Sequence, residues 1–126
     1  MKKIVYKKKL IGILLRTIPT GSVPITDGHE PLQLVTLRHP KGAYLKAHMH
    51  MPKKRVTKSL QESLIVKKGK IKLDLYGQDK KKFKTIQLKQ GELFILMSGG
   101  YGIHILKNSE LIEVKNGPFV EDKILI

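Results

Sequence analysis

Lys70-Ile-Lys-Leu-Asp-Leu-Tyr76 alternates residue by residue, with Ile71, Leu73 and Leu75 on one side and Lys70, Lys72 and Asp74 on the other. Side chains two apart on an extended chain point the same way, so the stretch reads as a β-strand with one dry and one wet face. Its lysines belong to the wet face. On either side the chain supplies turn chemistry: Lys67-Lys68-Gly69 precedes the strand, and Gly77-Gln78-Asp79 with Lys80, Lys81 and Lys82 follows it. The basic clusters therefore fall at hairpin ends, where lysine runs read as solvated loops.

Runs of the same kind recur about every ten residues, the spacing of an all-β sandwich or barrel. Gln33–His39 alternates in the same way, and further strands are expected at 3–6, 10–17, 43–51, 61–67, 83–88, 92–97, 102–107, 110–115 and 122–126. Helical periodicity is almost absent. Segment 18–31 (IPTGSVPITDGHEP) is rich in proline and glycine and is expected to be a long loop or an arm, with His29 as a loop residue. No internal repeat or linker divides the chain.

A length of 126 residues suits one domain, because a single core commonly serves about 100 to 150 residues. The expected organisation is one domain over 1–126, with N-terminal strands and a loop or dimerisation arm at 1–31 and a barrel at 32–126. At 40% hydrophobic and 28% charged the composition is globular rather than disordered. The longest apolar run, Leu93–Met97, is far short of the roughly 20 residues of a membrane-spanning helix. The basic, briefly apolar N-terminus lacks a small-residue cleavage site, so a cytoplasmic protein without membrane association is expected.

There is no cysteine, which excludes disulfides, zinc fingers and thiol nucleophiles. Any metal must be held by His, Asp or Glu. The net charge of +15 raises affinity for polyanions. Of the 25 cations, however, only Arg16, Arg38 and Arg55 are arginine, and only 6% of the residues are aromatic, with no tryptophan. Dedicated nucleic-acid recognition favours arginine forks and stacking platforms, so a basic nucleic-acid-associated protein is the lesser alternative. Nor is there a Ser-His-Asp cue, or a phosphate-cradling loop leading into a helix.

The residues that carry chemistry begin at Gly42-Ala-Tyr-Leu-Lys-Ala-His48-Met-His50. On a strand, His48 and His50 share a side and can present both imidazoles to one metal ion. Equally, Ala43, Leu45, Ala47, Met49 and Met51 form an apolar face whose wet side the histidines would occupy. In Gln61-Glu-Ser-Leu-Ile-Val-Lys67, Glu62 shares a face with Leu64 and Val66. A carboxylate on an apolar face calls for a metal or an ion-pair partner. A further candidate is His104, which alternates with Gly102 and Leu106 after the Gly99-Gly100 turn and is either a ligand or a satisfied core residue.

Together these segments resemble the two motifs of the cupin superfamily, small jelly-roll barrels also described as double-stranded β-helices. The first family motif runs Gly, five residues, His-x-His, three or four residues, Glu, six residues, Gly. Gly42 to His48 and Glu62 to Gly69 keep that spacing, while His50 to Glu62 encloses eleven residues (MPKKRVTKSLQ), a basic insertion. In the second motif Gly91, Gly99, His104 and Asn108 fit, but Met97 replaces a proline and His104 arrives two residues late. Tyr101 stands where the family histidine would be. The tail Glu113–Phe119 with Asp122-Lys123 is similar to the end of small stand-alone cupins, and the resemblance covers roughly 32–126.

The resemblance implies a divalent transition metal (Fe, Mn, Ni or Zn) on His48, His50, Glu62 and His104, or, with Tyr101 in the place of His104, a site of three protein ligands or a weaker metal. It also implies action on a small molecule, either isomerase or epimerase chemistry on a sugar or sugar nucleotide or dioxygen chemistry beside the substrate. Lys46 shares the histidine face and Lys53, Lys54 and Arg55 follow it, so an anionic substrate is expected to contact Lys46, Arg55 and Tyr101. A non-catalytic, ligand-binding cupin is the alternative. A homodimer is expected, joined through the N-terminal strands.

Overall fold

The computed structural model describes residues 1–126 as ten strands and no helix. In chain order they are β1 (Lys2–Tyr6), β2 (Lys9–Leu15), β3 (Gly21–Pro24), β4 (Val35–Arg38), β5 (Glu62–Lys68), β6 (Lys70–Tyr76), β7 (Lys82–Lys89), β8 (Leu93–Leu96), β9 (Gly100–Ile105) and β10 (Glu110–Lys115). They form a five-stranded sheet of order β1-β2-β8-β5-β10, a three-stranded sheet of order β7-β6-β9 and the hairpin β3-β4. All pairings are antiparallel. No helix is long and apolar enough to cross a membrane.

The alternation of KIKLDLY decides how the two larger sheets meet. Ile71, Leu73 and Leu75 of β6 are 0% exposed, and with Ile86 and Leu88 of β7 they pack on Leu64, Val66, Phe94 and Leu96 of the five-stranded sheet. Burying such side chains stabilises the fold by about 1.5–3 kcal/mol each, before the entropy of ordering the chain is subtracted. A second, smaller core lies on the opposite side of the five-stranded sheet. There Ile13, Leu15, Ile95 and Met97 are covered by Ile25, with Val23, Leu32 and Leu34 around it. Because β2 and β8 are covered on both sides, LIGILL and LFIL read as apolar runs rather than alternations.

Turns and surface pairs fix the sheets relative to each other. Gly69, between β5 and β6, has φ +93°, and a Cβ there would collide with the Ser109 hydroxyl. Asp79, in the β6–β7 turn, accepts hydrogen bonds from Tyr6 Oη (2.9 Å) and Lys7 Nζ (3.0 Å) of the β1–β2 turn. The Lys7 ammonium, then the Lys81 amide, hold its carboxyl down at about 2. Arg16 Nη1 lies 2.9 and 2.8 Å from the two oxygens of the buried Glu92, whose Oε1 also accepts from the Lys89 amide at 2.7 Å.

Several expectations are corrected. The sheets do not close into a barrel: β9 and β10 each end a sheet. Residues 43–51 are not a strand. Every residue from 37 to 60 is exposed, and the one backbone bond between main-chain groups of 43–51 and other residues is Ala43 N to Pro40 O, a local turn. Residues 122–126 form no strand either. Segment 18–31 contains β3, which pairs with β4 in register from Gly21↔Arg38 to Pro24↔Val35. Its Pro24 is tolerated because the strand ends there on a two-stranded hairpin.

Candidate functional site

The β5–β10 register sets Glu62 opposite Lys115, Leu64 opposite Glu113 and Val66 opposite Leu111, alternating with the pairs of the other face. Residues opposite one another in an antiparallel pair share a face, so all six project toward the three-stranded sheet. At one end of that inner face stand Val66 and Leu111, and at the other stand two carboxylates and a lysine. Across the gap, β9 pairs with β6 through Tyr101↔Leu75, Ile103↔Leu73 and Ile105↔Ile71, which turns Tyr101 inward. Its hydroxyl donates to Glu62 Oε2 at 3.2 Å, and its ring meets Phe94 edge-on at 6.3 Å between centroids.

The electrostatics at this end follow from crowding. Burial, followed by the charge of Glu113 and a hydrogen bond with it, pushes the Glu62 carboxyl above the ordinary carboxylate range. Glu113 moves the other way, because Lys115 binds it, with Nζ 2.8 Å from Oε1. Of the two acids, Glu62 is the one that holds a proton more readily. Tyr101 is raised by its burial and by both carboxylates, so its phenol stays protonated and donates.

His104 is elsewhere. It lies three positions after Tyr101, an odd step, and its strand neighbour is Lys72 on the outer, wet face. There its Nε2 is 2.6 Å from Asp74 Oδ2, while Thr85 Oγ1 donates to Asp74 Oδ1 at 3.1 Å and Lys82 Nζ is 3.9 Å away. The His104 contact, followed by that of Thr85, holds the Asp74 carboxyl low. His104 and Tyr101 thus occupy opposite sides of one strand. The flanking Ile103 and Ile105 carried the signal for this, since larger apolar residues at odd positions leave the even positions wet.

His48 and His50 lie on the exposed segment 39–60, hereafter the arm. Their rings are 5.1 Å apart, edge to face. His48 Nδ1 is 3.0 Å from the Lys46 carbonyl oxygen, which can only accept, so this nitrogen carries a hydrogen and, in the neutral ring, Nε2 presents the lone pair. Lys46 is exposed, and so is Arg55, whose Nη1 donates to the Lys53 carbonyl at 3.3 Å. The arm carries six cations (Lys41, Lys46, Lys53, Lys54, Arg55 and Lys58) and no carboxylate.

Within one chain the structure brings Glu62 and Tyr101 together and pairs His48 with His50. It does not join these two groups. No three His, Asp or Glu side chains come close enough to hold a metal ion. The donors nevertheless suit a divalent transition metal in kind, with two imidazoles two residues apart and a carboxylate on an inner face. Glu113 and Lys115 were not anticipated: the strand at 110–115 was expected without a face assigned to it, and its apolar Ile112 and Val114 prove 46% and 48% exposed. A cleft of about 460 Å³ lined by Lys8, Glu30, Gln61, Gln78 and Ser98, among others, contains none of the expected site residues. The chain matches no family model, and no curated protein or solved structure matches it.

Proposed function

We propose that the chain is a metal-binding protein of the cupin type that acts on a small anionic molecule, with isomerase or epimerase chemistry on a sugar or sugar nucleotide as its reaction class. The observation that carries this reading is the inward placement of Glu62 and Tyr101, 3.2 Å apart at one end of the gap between the sheets. The winding of the chain supports it. From β5 to β10 the strands fall in the first sheet, the second, the second, the first, the second and the first, giving the orders β8-β5-β10 and β7-β6-β9. A jelly roll needs one more strand beside β9 and one beside β10, and the chain that precedes β5 supplies the candidates, residues 43–51 and β4.

In this reading His48, His50 and Glu62 hold the metal, and Tyr101 stands beside them where a fourth donor would be. A divalent ion bound there would act as a Lewis acid toward an oxygen of the substrate. The chain's own groups do the rest. Tyr101 Oη donates its one hydrogen to Glu62 Oε2 and holds that carboxylate in place, and Glu113, paired with Lys115, stays ionised beside it. Lys46 and Arg55 draw in an anionic substrate. His104, paired with Asp74 on the outer face, is left out of the ligand set.

The test is elemental analysis of untagged protein purified without chelator, followed by titration of the stripped protein with Fe, Mn, Ni and Zn. About one ion per chain is expected, lost in Glu62→Gln and in His48→Ala/His50→Ala but kept in His104→Ala. Protein that is metal-free and takes up none of the four overturns the reading.

A further inference from the structure

The chain exposes 9486 Å². A compact monomer of its mass exposes about 6,800 Å², so the excess is roughly 2,700 Å². That excess is of the size that obligate homodimers bury, on the order of 1,000 to 2,500 Å² per chain. Exposed apolar side chains contribute to it in two irregular segments: Tyr44, Met49, Met51 and Val56 of the arm at 76%, 94%, 72% and 70%, and Phe119, Val120, Ile124 and Leu125 of the tail at 78%, 69%, 73% and 88%. Scattered exposed apolar residues are ordinary, but a run of them on 22 residues of irregular chain (39–60) is not.

An edge that can accept the arm is present. β9 ends its sheet, so one row of its backbone N–H and C=O groups is free to pair, and Ile103 and Ile105 beside it are 40% and 56% exposed. The arm is purely cationic, and β9 carries no Lys or Arg that would repel it. The exit of the arm is held: Asn116 Nδ2 donates to Thr57 Oγ1 (3.4 Å) and to the Ser59 carbonyl (3.0 Å), and its Oδ1 accepts from the Gln61 amide at 2.8 Å. Upstream of that clamp every residue back to 37 is exposed, so the arm stands off its own body.

We propose that the arm is exchanged: residues 43–51 of each chain add as a strand to the free edge of β9 in a second copy, and two reciprocal exchanges make a two-fold dimer. A symmetric pair satisfies both edges at once and closes, which limits further association. The exchange leaves the body of each chain and its Asn116 clamp unchanged. Resting on the reading of the site above, it makes that site composite, with His48 and His50 of one chain turned toward Glu62 and Tyr101 of the other. The same turn sets Ala47 and Met49 on the outer side, beside Gly102.

The absence of cysteine allows a clean test. Gly102 has open space where a Cβ would stand, so Gly102→Cys is tolerated. This chain is co-expressed with a second full-length chain carrying Leu45→Cys, Ala47→Cys or Met49→Cys, and the mixture is oxidised. The expected result is a mixed disulfide between the two different chains for at least one of the three positions, identified by peptide mass. In parallel, each pair of substitutions is placed in one chain. A disulfide found only within a single chain means that the arm closes on its own β9, and no disulfide in any pairing means that it does not seat there; either result overturns the exchange. Metal content of the linked dimer is measured separately. Linked dimers that hold no metal support the exchange while removing the metal reading.

Discussion

Phe94 and Met49 are both large apolar residues in segments that alternate or run apolar, yet one is 0% exposed and the other 94%. The body around Phe94 is covered from two sides by strands of its own chain. Met49 lies in a segment that no strand of its own chain covers. The difference shows that an alternating pattern specifies a strand only where an edge and a facing layer receive it. The arm has the pattern without the partner, and the histidines of the expected site lie within that unpartnered stretch.

The contrast can be broken most forcefully in the core. Phe94→Ala is expected to cost about 3–5 kcal/mol in denaturant unfolding, because it opens a cavity between the two larger sheets and removes the edge that meets Tyr101. Met49→Ala is expected to shift the same unfolding midpoint by less than about 0.5 kcal/mol, as for an exposed substitution. Equal losses for the two would mean that the arm is part of the body's core.

Glycine at positive φ gives a second comparison. Gly99 (φ +74°) sits where a Cβ would collide with the Tyr76 carbonyl oxygen, whereas Gly42 (φ +91°), in the arm, has nothing within 4 Å. Gly99→Ala should cost roughly 2–3 kcal/mol from strain and crowding together, and Gly42→Ala about 1 kcal/mol or less, from strain alone. Thermal unfolding of the two variants side by side checks the order.

Much of the body was legible in the sequence. KIKLDLY sets one inner face, LFIL the doubly covered centre, and Glu62 on the face of Leu64 and Val66 the acid of the site. The arm was not legible, because the period of residues 43–51 is that of a strand and periodicity carries no information about which edge receives it. His104 was placed among the ligands by motif spacing, whereas the parity of Ile103 and Ile105 puts it outside with Asp74. Glu113 escaped notice because its neighbours Ile112 and Val114 are the more hydrophobic residues of β10, so hydrophobicity alone does not mark the face of Glu113 and Lys115 as the inner one.

Smaller effects bear on the surface pairs that hold the body in shape. Burial raises the Glu92 carboxyl, but the Arg16 guanidinium and the Lys89 amide outweigh it and hold the group below its ordinary range. Glu92→Gln should therefore cost about 1–2 kcal/mol in denaturant unfolding, chiefly through the weakened hydrogen bonds to Arg16 and the Lys89 amide. Asp79, held at about 2 by Lys7, is depressed in the folded state, so its stabilising contribution is present above the unfolded carboxyl range near 4 and is lost as pH falls toward 2. Melting temperatures between pH 5 and 2 should fall less steeply for Asp79→Asn than for the unaltered chain. The slope should also shallow with added salt, since the pair is exposed.

Whether the arm completes the site on β9, as proposed, is read from amide hydrogen exchange of the unaltered full-length chain. The account predicts slow exchange at alternate amides of 43–51, comparable to other edge strands, in a species that sediments as a dimer. Exchange across 43–51 at the rate of an unstructured peptide, while β6 remains protected, would contradict it.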